Sequence, residues 1–335
     1  VRHWWDNGKI RLSYGALGNS NVDPYTYLET FGLSTFGTGS GDAARYLFGQ
    51  AKLRYTSLPG QIPDNIGWET SKTFDVGLDA GFLNGRLNLT ADYYIRKTVD
   101  MYTVGPTLPD TFGATAPKGN YADMRTDGWD ASISWRDNFK LGGKDFSYNL
   151  KFAIWDNVTK VTKYMATTNT LPTNYATNYY EGMTLGELWG YTCNGLFQSN
   201  EEAQTYADYS KFAQNLNGDG RIDNGSNRLE DHGDLSIIGN TSPRYCYSLA
   251  AGARWNGIGL SMVWQGVGRR DWYPAKESGY FWGQYGRPYS IALPWHNDRY
   301  TDANQNTDAY WPRLIGYTAQ GANAILSQPN TRYLQ

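Results

Sequence analysis

Two consecutive runs of strictly alternating residues constrain the fold of this chain more than any other feature. Every second position is apolar, and these positions are Phe74, Val76, Leu78, Ala80 and Phe82 in the first run and Leu87, Leu89, Ala91, Tyr93 and Ile95 in the second. A period of two predicts β-strands. Asn84-Gly85 lies between the runs and suits a type I′ turn, in which both central residues have positive φ. Residues 73–96 therefore predict an antiparallel hairpin. Its arms exceed the average strand of about 5–6 residues and approach the about 9–11 that a tilted strand needs to cross a membrane.

Five further stretches alternate in the same way, which makes seven predicted strands, and the connections that follow these strands differ sharply in length. The other predicted strands are 10–16, 129–135, 146–154, 245–255 and 258–264. Short connections at Asn84-Gly85, 138–145 and Asn256-Gly257 alternate with long ones at 20–66, 104–123, 160–240 and 266–330. In an up-and-down sheet, all turns then lie at one end and all long loops at the other, which is typical of outer-membrane barrels. Residues 331–335 predict the start of an eighth strand.

The alternation by itself leaves two all-β folds open. The apolar face can pack inside a soluble sandwich, or it can meet lipid while the polar face lines the lumen of a barrel. Strand length and loop sorting favour the barrel. The aromatic content of 16%, with 27 Tyr and 13 Trp, favours it too, because these side chains suit a membrane interface. No apolar run approaches the about 18 residues of a spanning helix, and a formal net charge of -2 gives no basic footprint for nucleic acid.

The sequence contains no recognisable catalytic motif, so we expect no enzyme. His3, His232 and His296 are isolated, and Cys193 and Cys246 form no metal-binding pair. Acidic residues are abundant, but no pair stands out as the two carboxylates of a glycosidase. Four of them fall on the polar strand faces, where we expect them to pair across strands with arginines. The acidic residues are Asp75, Asp79, Asp92 and Asp130, and the arginines are Arg86, Arg96 and Arg136.

Residues 215–226 imitate the start of an EF-hand loop, in which oxygen ligands recur at alternate positions and a glycine makes the sharp turn. The candidate calcium ligands are Asn215, Asn217, Asp219, Arg221 and Asp223, with Gly220 at the turn. The first position is Asn rather than Asp, and Ser226 replaces the bidentate Glu at the twelfth, which weakens the site. A rigid Asx/Gly turn without metal is the alternative.

Aromatic residues crowd the long loop 266–330. Their rings can stack on sugars, so the candidate substrate-binding residues are Trp282, Trp295, Tyr280 and Tyr285. The alternative is a loop that packs on its own side chains.

A series of motifs extends across nearly the whole chain. They include Trp68-Glu69-Thr70, Phe74-Asp75-Val76-Gly77-Leu78-Asp79, Phe82-Leu83-Asn84-Gly85-Arg86-Leu87, Asp92-Tyr93-Tyr94, Trp189-Gly190-Tyr191, Gly195-Leu196-Phe197-Gln198-Ser199, Asn217-Gly218-Asp219-Gly220 and Trp311-Pro312-Arg313-Leu314. In this order they resemble the signature of the SusC/RagA-type TonB-linked outer-membrane transporters.

The resemblance implies both a fold and a function. The fold is an up-and-down transmembrane barrel of about 22 strands with an N-terminal plug. The function is outer-membrane import of oligosaccharides or peptides, with a SusD-like lipoprotein as lid and energy from the TonB–ExbB–ExbD complex. Residues 1–335 are then expected to be a partial barrel domain that lacks the plug, the TonB box and the closing strands. Residues 1–5 show no signal-peptide pattern, as expected of a fragment.

A function of another class remains open from the residues themselves. A soluble secreted β-sheet carbohydrate-binding module or glycoside hydrolase also uses alternating strands and exposed aromatic residues.

Overall fold

The computed structural model shows an antiparallel meander of long strands with packed loops at one end. It describes residues 4–20, 25–35, 54–56, 59, 61–62, 66–106, 108–109, 111, 116–165, 169–173, 178–196, 199, 201, 222–275, 278–286, 290–303, 305–306, 308–314 and 328–335. Within these residues the strands are β1 (Trp5–Asn19), β2 (Leu33–Thr35), β3 (Arg54–Thr56), β4 (Glu69–Phe82), β5 (Leu87–Val104), β6 (Lys118–Leu141), β7 (Lys144–Tyr164), β8 (Glu187–Gly190), β9 (Ser236–Asn240), β10 (Arg244–Trp255) and β11 (Ile258–Arg269).

Seven of these strands form one sheet, in the order β1-β4-β5-β6-β7-β10-β11. Every neighbouring pair is antiparallel. The strand pairs β2–β3 and β8–β9 form two small sheets inside long connections. The predicted single meander is therefore confirmed, with its short turns at one end and its long loops at the other.

The register of β4 and β5 confirms the predicted hairpin. Phe74 lies opposite Ile95 and Phe82 opposite Leu87, so the apolar positions of both arms share one face. In the turn, Asn84 and Gly85 have φ values of 56° and 72°, as a type I′ turn requires. Leu83 also has a positive φ, of 58°.

The sequence pattern underestimates the length of β6 and β7. The predicted connection 138–145 is almost entirely strand, since Leu141 pairs with Lys144 and only Gly142-Gly143 remains as the turn. At the other end, β6 already begins at Lys118, inside the predicted loop 104–123. Toward the long loops, polar residues such as Arg125, Asp127 and Lys160 lie on the otherwise apolar face, so the period of two disappears although backbone pairing continues. Near the short turn, Phe139 and Leu141 keep the alternation.

The prediction of a further strand at 331–335 is wrong, because these residues form a turn that packs against loops. Trp272 and Gln335 exchange two backbone hydrogen bonds, with N–O distances of 2.6 and 2.9 Å. The amide of Thr331 donates to the carbonyl of Tyr191 at 3.0 Å, and the side chain of Tyr333 is buried. A short alternation of this kind fits a buried loop residue as well as it fits a strand.

The apolar face of the sheet is uncovered along its length. Leu12 is 71% exposed, Leu78 49% and Leu89 38%. No second layer covers this face among the residues that the structure describes. A soluble sandwich would bury these side chains, whereas a barrel presents them to lipid.

The packed cores lie in the long loops at one end of the sheet. The first loop core consists of Val161, Leu171, Tyr180, Met183, Trp189 and Leu235. The aromatic loop core consists of Tyr273, Trp282, Tyr285, Trp311 and Tyr333. It is built partly on the short helix α1 (Gly279–Trp282) and on two 3₁₀ turns, Gly283–Tyr285 and Pro294–Asn297. Among the described residues, no helix is long and apolar enough to cross a membrane.

Candidate functional site

The polar face of the sheet carries a charged network centred on Arg11. The Nε and Nη2 atoms of Arg11 donate to the two carboxylate oxygens of Asp79 at 2.8 and 3.1 Å, and Nη2 also donates to Asp92 at 2.8 Å. Asp92 is on β5, two strands away from Arg11 on β1. Arg11 and Asp92 both lie opposite Gly77, which is on the strand between them, β4. A Cβ atom at position 77 would lie 2.7 Å from Cζ of Arg11. Glycine therefore leaves the space through which the guanidinium reaches across β4.

This network differs from the predicted one, because the expected arginines bind elsewhere. Their partners are the Asp137 carboxylate for Arg86, the Gly85 carbonyl for Arg136 and the Thr73 hydroxyl for Arg96. The cation that pairs with the strand carboxylates comes instead from β1. The connection between β1 and β4 is too long for the sequence to fix their register, so this pairing could not be read from spacing.

Carboxylates outnumber cations on this part of the polar face. Asp92 lies directly opposite Asp130, and Asp75 is one row away on the same face. Lys9 lies opposite Asp79 and adds a second positive charge beside Arg11. The polar face is therefore a charged, hydrogen-bonding surface, as expected for the water-filled lumen of a barrel.

The first loop core is attached directly to the end of β7. The amide of Val161 donates to the carbonyl of Met183 at 2.9 Å, and the carbonyl of Val161 accepts from Gly182 at 2.8 Å. Inside this core the Tyr180 hydroxyl donates to Glu187 at 2.5 Å. Burial, reinforced by the Glu187 carboxylate, raises the pKa of the Tyr180 phenol above its ordinary value. The loop is therefore held to β7 by backbone bonds, and the Tyr180–Glu187 bond connects two segments within the loop.

The aromatic loop core is a cluster of packed rings, and the polar atoms of Trp282 and Tyr285 have hydrogen-bond partners within the loop. Tyr285 stacks on Trp311 with centroids 4.9 Å apart and an interplanar angle of 14°. Trp282 packs edge-on against Tyr333 at 5.2 Å. The indole nitrogen of Trp282 donates to the Ala275 carbonyl at 2.9 Å, which removes the cost of burying an unpaired N–H. Burial raises the pKa of Tyr285 to about 12 and also raises that of Tyr333.

A buried histidine, His296, supports this core, and nothing in its sequence context distinguishes it. Its Nδ1 accepts the backbone N–H of Leu293 at 2.9 Å, so the ring proton must be on Nε2. Nε2 lies 2.8 Å from the Phe281 carbonyl and donates to it. The imidazole therefore acts as a structural crosslink between two loop segments.

The structure separates the four predicted sugar-stacking residues into two pairs. Trp282 and Tyr285 are only 1% and 3% exposed, and their ring faces are covered by neighbouring aromatic side chains. Tyr280 is 83% exposed and Trp295 48%. Trp282 and Tyr285 therefore fit the alternative interpretation, in which the loop packs on its own side chains. Ligand stacking stays a prediction for Tyr280 and Trp295.

Most of the predicted calcium loop lies outside the described residues, namely Asn215, Asn217, Asp219 and Arg221. Asp223 is described. Its side chain accepts from the amide of Gly225 at 2.9 Å, and its own amide donates to Asp234 at 3.0 Å. This is the geometry of an Asx turn. In the part of the chain that the structure describes, no three His, Cys, Asp or Glu side chains could hold a metal ion together, and calcium binding stays a prediction.

Comparisons with known proteins give one consistent class. No family model matches the chain. The TonB-dependent receptor P3 of Formosa agariphila is 26% identical over 273 residues, which cover 77% of this chain and 25% of the relative. The TonB-dependent receptor SusC of Bacteroides thetaiotaomicron is 28% identical over 249 residues, covering 70% of this chain and 23% of the relative. A solved structure of the RagAB peptide transporter superposes with a TM-score of 0.69 at 19% identity, covering 100% of this chain and 33% of the transporter chain.

The fold and these relatives define the chain as part of a large transmembrane β-barrel of the outer membrane. Within that class, the resemblance to the SusC/RagA-type TonB-linked transporters is confirmed. The relatives are receptors and transporters, not enzymes. The chain spans about a quarter of the length of the curated relatives that it matches.

Proposed function

We propose that this chain forms part of the wall of a barrel that imports oligosaccharides or peptides across the outer membrane in a TonB-dependent manner. One observation carries the proposal. The sheet has an uncovered apolar face and a charged polar face, while its long loops fold into packed cores at a single end. A lipid-facing wall around a wet lumen requires this arrangement.

The proposal also assigns roles to parts of the full-length protein outside residues 1–335. These residues supply part of the barrel domain, whereas the plug, the TonB-contacting box and the closing strands belong to other segments. A SusD-like lipoprotein covers the long-loop end, and the TonB–ExbB–ExbD complex supplies energy from the other side of the membrane. The SusC and RagAB relatives support both partners.

Two substrate classes remain, and different observations favour each. RagAB is a peptide transporter, which supports peptides. The exposed rings of Tyr280 and Trp295 support oligosaccharides, because an aromatic face can stack on a sugar ring. Cells that carry the full-length gene, and a deletion strain, should be supplied with labelled oligosaccharides or labelled peptides in parallel. Uptake that depends on both the gene and TonB identifies the class, and uptake of neither would overturn import.

The assignment of the two faces is tested by adjacent substitutions on one strand. Leu89→Arg places a cation on the lipid face, where it costs about 2–4 kcal/mol at the bilayer midplane. Thr90→Arg is the matched control, since residue 90 lies on the polar face opposite Asp79. We expect Leu89→Arg to lower the yield of folded barrel and Thr90→Arg to leave it unchanged. The folded fraction is measured in membranes of cells expressing the full-length protein, from the shift in gel mobility upon heating.

Equal yields for the two variants would show that the faces are assigned wrongly. Extraction of the unmodified full-length protein without detergent, as a stable monomer, would instead favour the soluble carbohydrate-binding module or hydrolase. The uncovered apolar face argues against that alternative, because such a surface is far more extensive than soluble monomers expose.

A further inference from the structure

Four basic side chains form one continuous row across the apolar face, near the long-loop end. In the register of the sheet, Lys72 of β4 lies opposite Lys97 of β5, Lys97 opposite Arg125 of β6, and Arg125 opposite Lys160 of β7. We call Lys72, Lys97, Arg125 and Lys160 the basic row. Since neighbouring strands are about 4.8 Å apart, the row extends for about 14 Å.

The basic row begins where the apolar surface ends. Phe74 and Ile95 lie on the same face, two residues from Lys72 and Lys97 in the direction of the short turns. Further toward the short turns the face continues with exposed apolar side chains such as Leu78 and Leu89. The row therefore lies at the border between the lipid-facing band and the loops.

The charges of the row are poorly compensated within the protein. Arg125 is paired with Asp127, with nitrogen–oxygen distances of 2.7 and 2.9 Å. The three lysines form no ion pair among the residues that the structure describes, and Asp127, already bound to Arg125, is the carboxylate within electrostatic reach of Lys160. Directly opposite like charges destabilise a sheet, so this arrangement is unfavourable until an anion neutralises it.

A lipid headgroup is the anion that fits this position. Acyl chains can lie against Phe74, Ile95 and the exposed apolar side chains closer to the short turns. The methylene stems of the lysines lie along this apolar surface, which lets their ammonium groups reach the headgroup layer. A single phosphate can contact only neighbouring side chains, whereas a row about 14 Å long can contact several phosphates at once.

We propose that the basic row binds a lipid whose headgroup carries more than one phosphate, in the leaflet beside the long loops. The proposal rests on the proposed function, because it needs the apolar face to stand in a membrane. Bound lipid would stabilise this part of the barrel wall by removing the repulsion along the row.

The test uses the delipidated full-length protein and lipid A, a glycolipid with two phosphates, as probe. Native mass spectrometry in detergent measures the fraction of protein that retains the lipid. The test variant is Lys72→Gln/Lys97→Gln/Lys160→Gln. The matched control is Lys9→Gln/Lys140→Gln/Lys151→Gln, which removes the same charge from the polar face.

We expect the test variant to lose affinity for lipid A by more than tenfold, because each basic residue near an anionic surface contributes about a factor of five. The control variant and a Lys→Arg version of the row should bind as the unmodified protein does. Equal affinity of the test and control variants would overturn the proposal.

Two further lipids test whether the basic row recognises the phosphates of lipid A and whether it needs more than one of them. Dephosphorylated lipid A and phosphatidylglycerol, which has one phosphate, should both bind more weakly than lipid A. Equal or tighter binding of either lipid would overturn the assignment to a headgroup with several phosphates. Unmodified protein that fails to insert into vesicles would count against the proposed function, whereas inserted protein that does not bind lipid A refutes only the basic row.

Discussion

Replacing Trp282 by alanine should open the aromatic loop core without affecting the barrel. Trp282 is 1% exposed, lies 4.8 Å from the Phe281 ring and 5.2 Å from the Tyr333 ring, and donates a hydrogen bond to Ala275. Truncating a buried tryptophan costs about 3–5 kcal/mol. Because 1.4 kcal/mol is a factor of ten, the equilibrium constant for local opening of the loop should rise by roughly 150- to 4,000-fold.

Hydrogen exchange measured by mass spectrometry on the full-length protein reports this opening directly. Exchange should accelerate in peptides that cover 272–285 and 308–314, which contribute to the same core, and stay unchanged in β4 and β5. Trp295→Ala is the matched control, since Trp295 is in the same loop but is 48% exposed. If both variants accelerate exchange equally, or if Trp282→Ala has no effect, the assignment of Trp282 as a core residue is wrong.

Two more predictions concern the polar face and the pH dependence of the loops. Arg11→Met should lower the midpoint of denaturant unfolding, because it removes the guanidinium that bridges Asp79 and Asp92 at a partly exposed site. Lys9→Met is the control, and equal midpoints for the two variants would contradict the network. The raised pKa of Tyr285, about 12 against an ordinary value of 10.0, means that the folded loop holds a proton that the open loop releases between these two values. Its contribution to stability is therefore complete below pH 10 and disappears as the pH rises to about 12. Phenolate absorbance should show a late titration whose amplitude falls by one phenol in Tyr285→Phe, because other buried tyrosines such as Tyr191 also titrate late.

The strands were predictable because each carries its own period. In the hairpin of β4 and β5, alternation fixed the face of each residue, and Asn84-Gly85 fixed the turn. The same signal fails toward the long loops, where polar residues lie on both faces, so those ends of β6 and β7 were misplaced although their backbones remain paired.

The loop structure and the charged network were not predictable, for a different reason. Both depend on contacts between residues far apart in the chain. Arg11 meets Asp79 and Asp92 only because β1 pairs with β4 across a long connection. Likewise, the sequence left both sugar contact and self-packing open for Trp282 and Trp295, and only the folded loop distinguishes the two residues.

The two environments of this chain require opposite arrangements of apolar side chains. On β4, Leu78 alternates strictly and is 49% exposed, because its partner is lipid. In the loops, Trp282 and Trp311 follow no period and are each 1% exposed, because water drives them together. Periodicity in this chain therefore marks the surface that stands in the membrane, and its absence marks the cores. It follows that substitutions which enlarge or charge the periodic positions should impair membrane assembly, whereas truncations at the aperiodic aromatic positions should loosen the long loops.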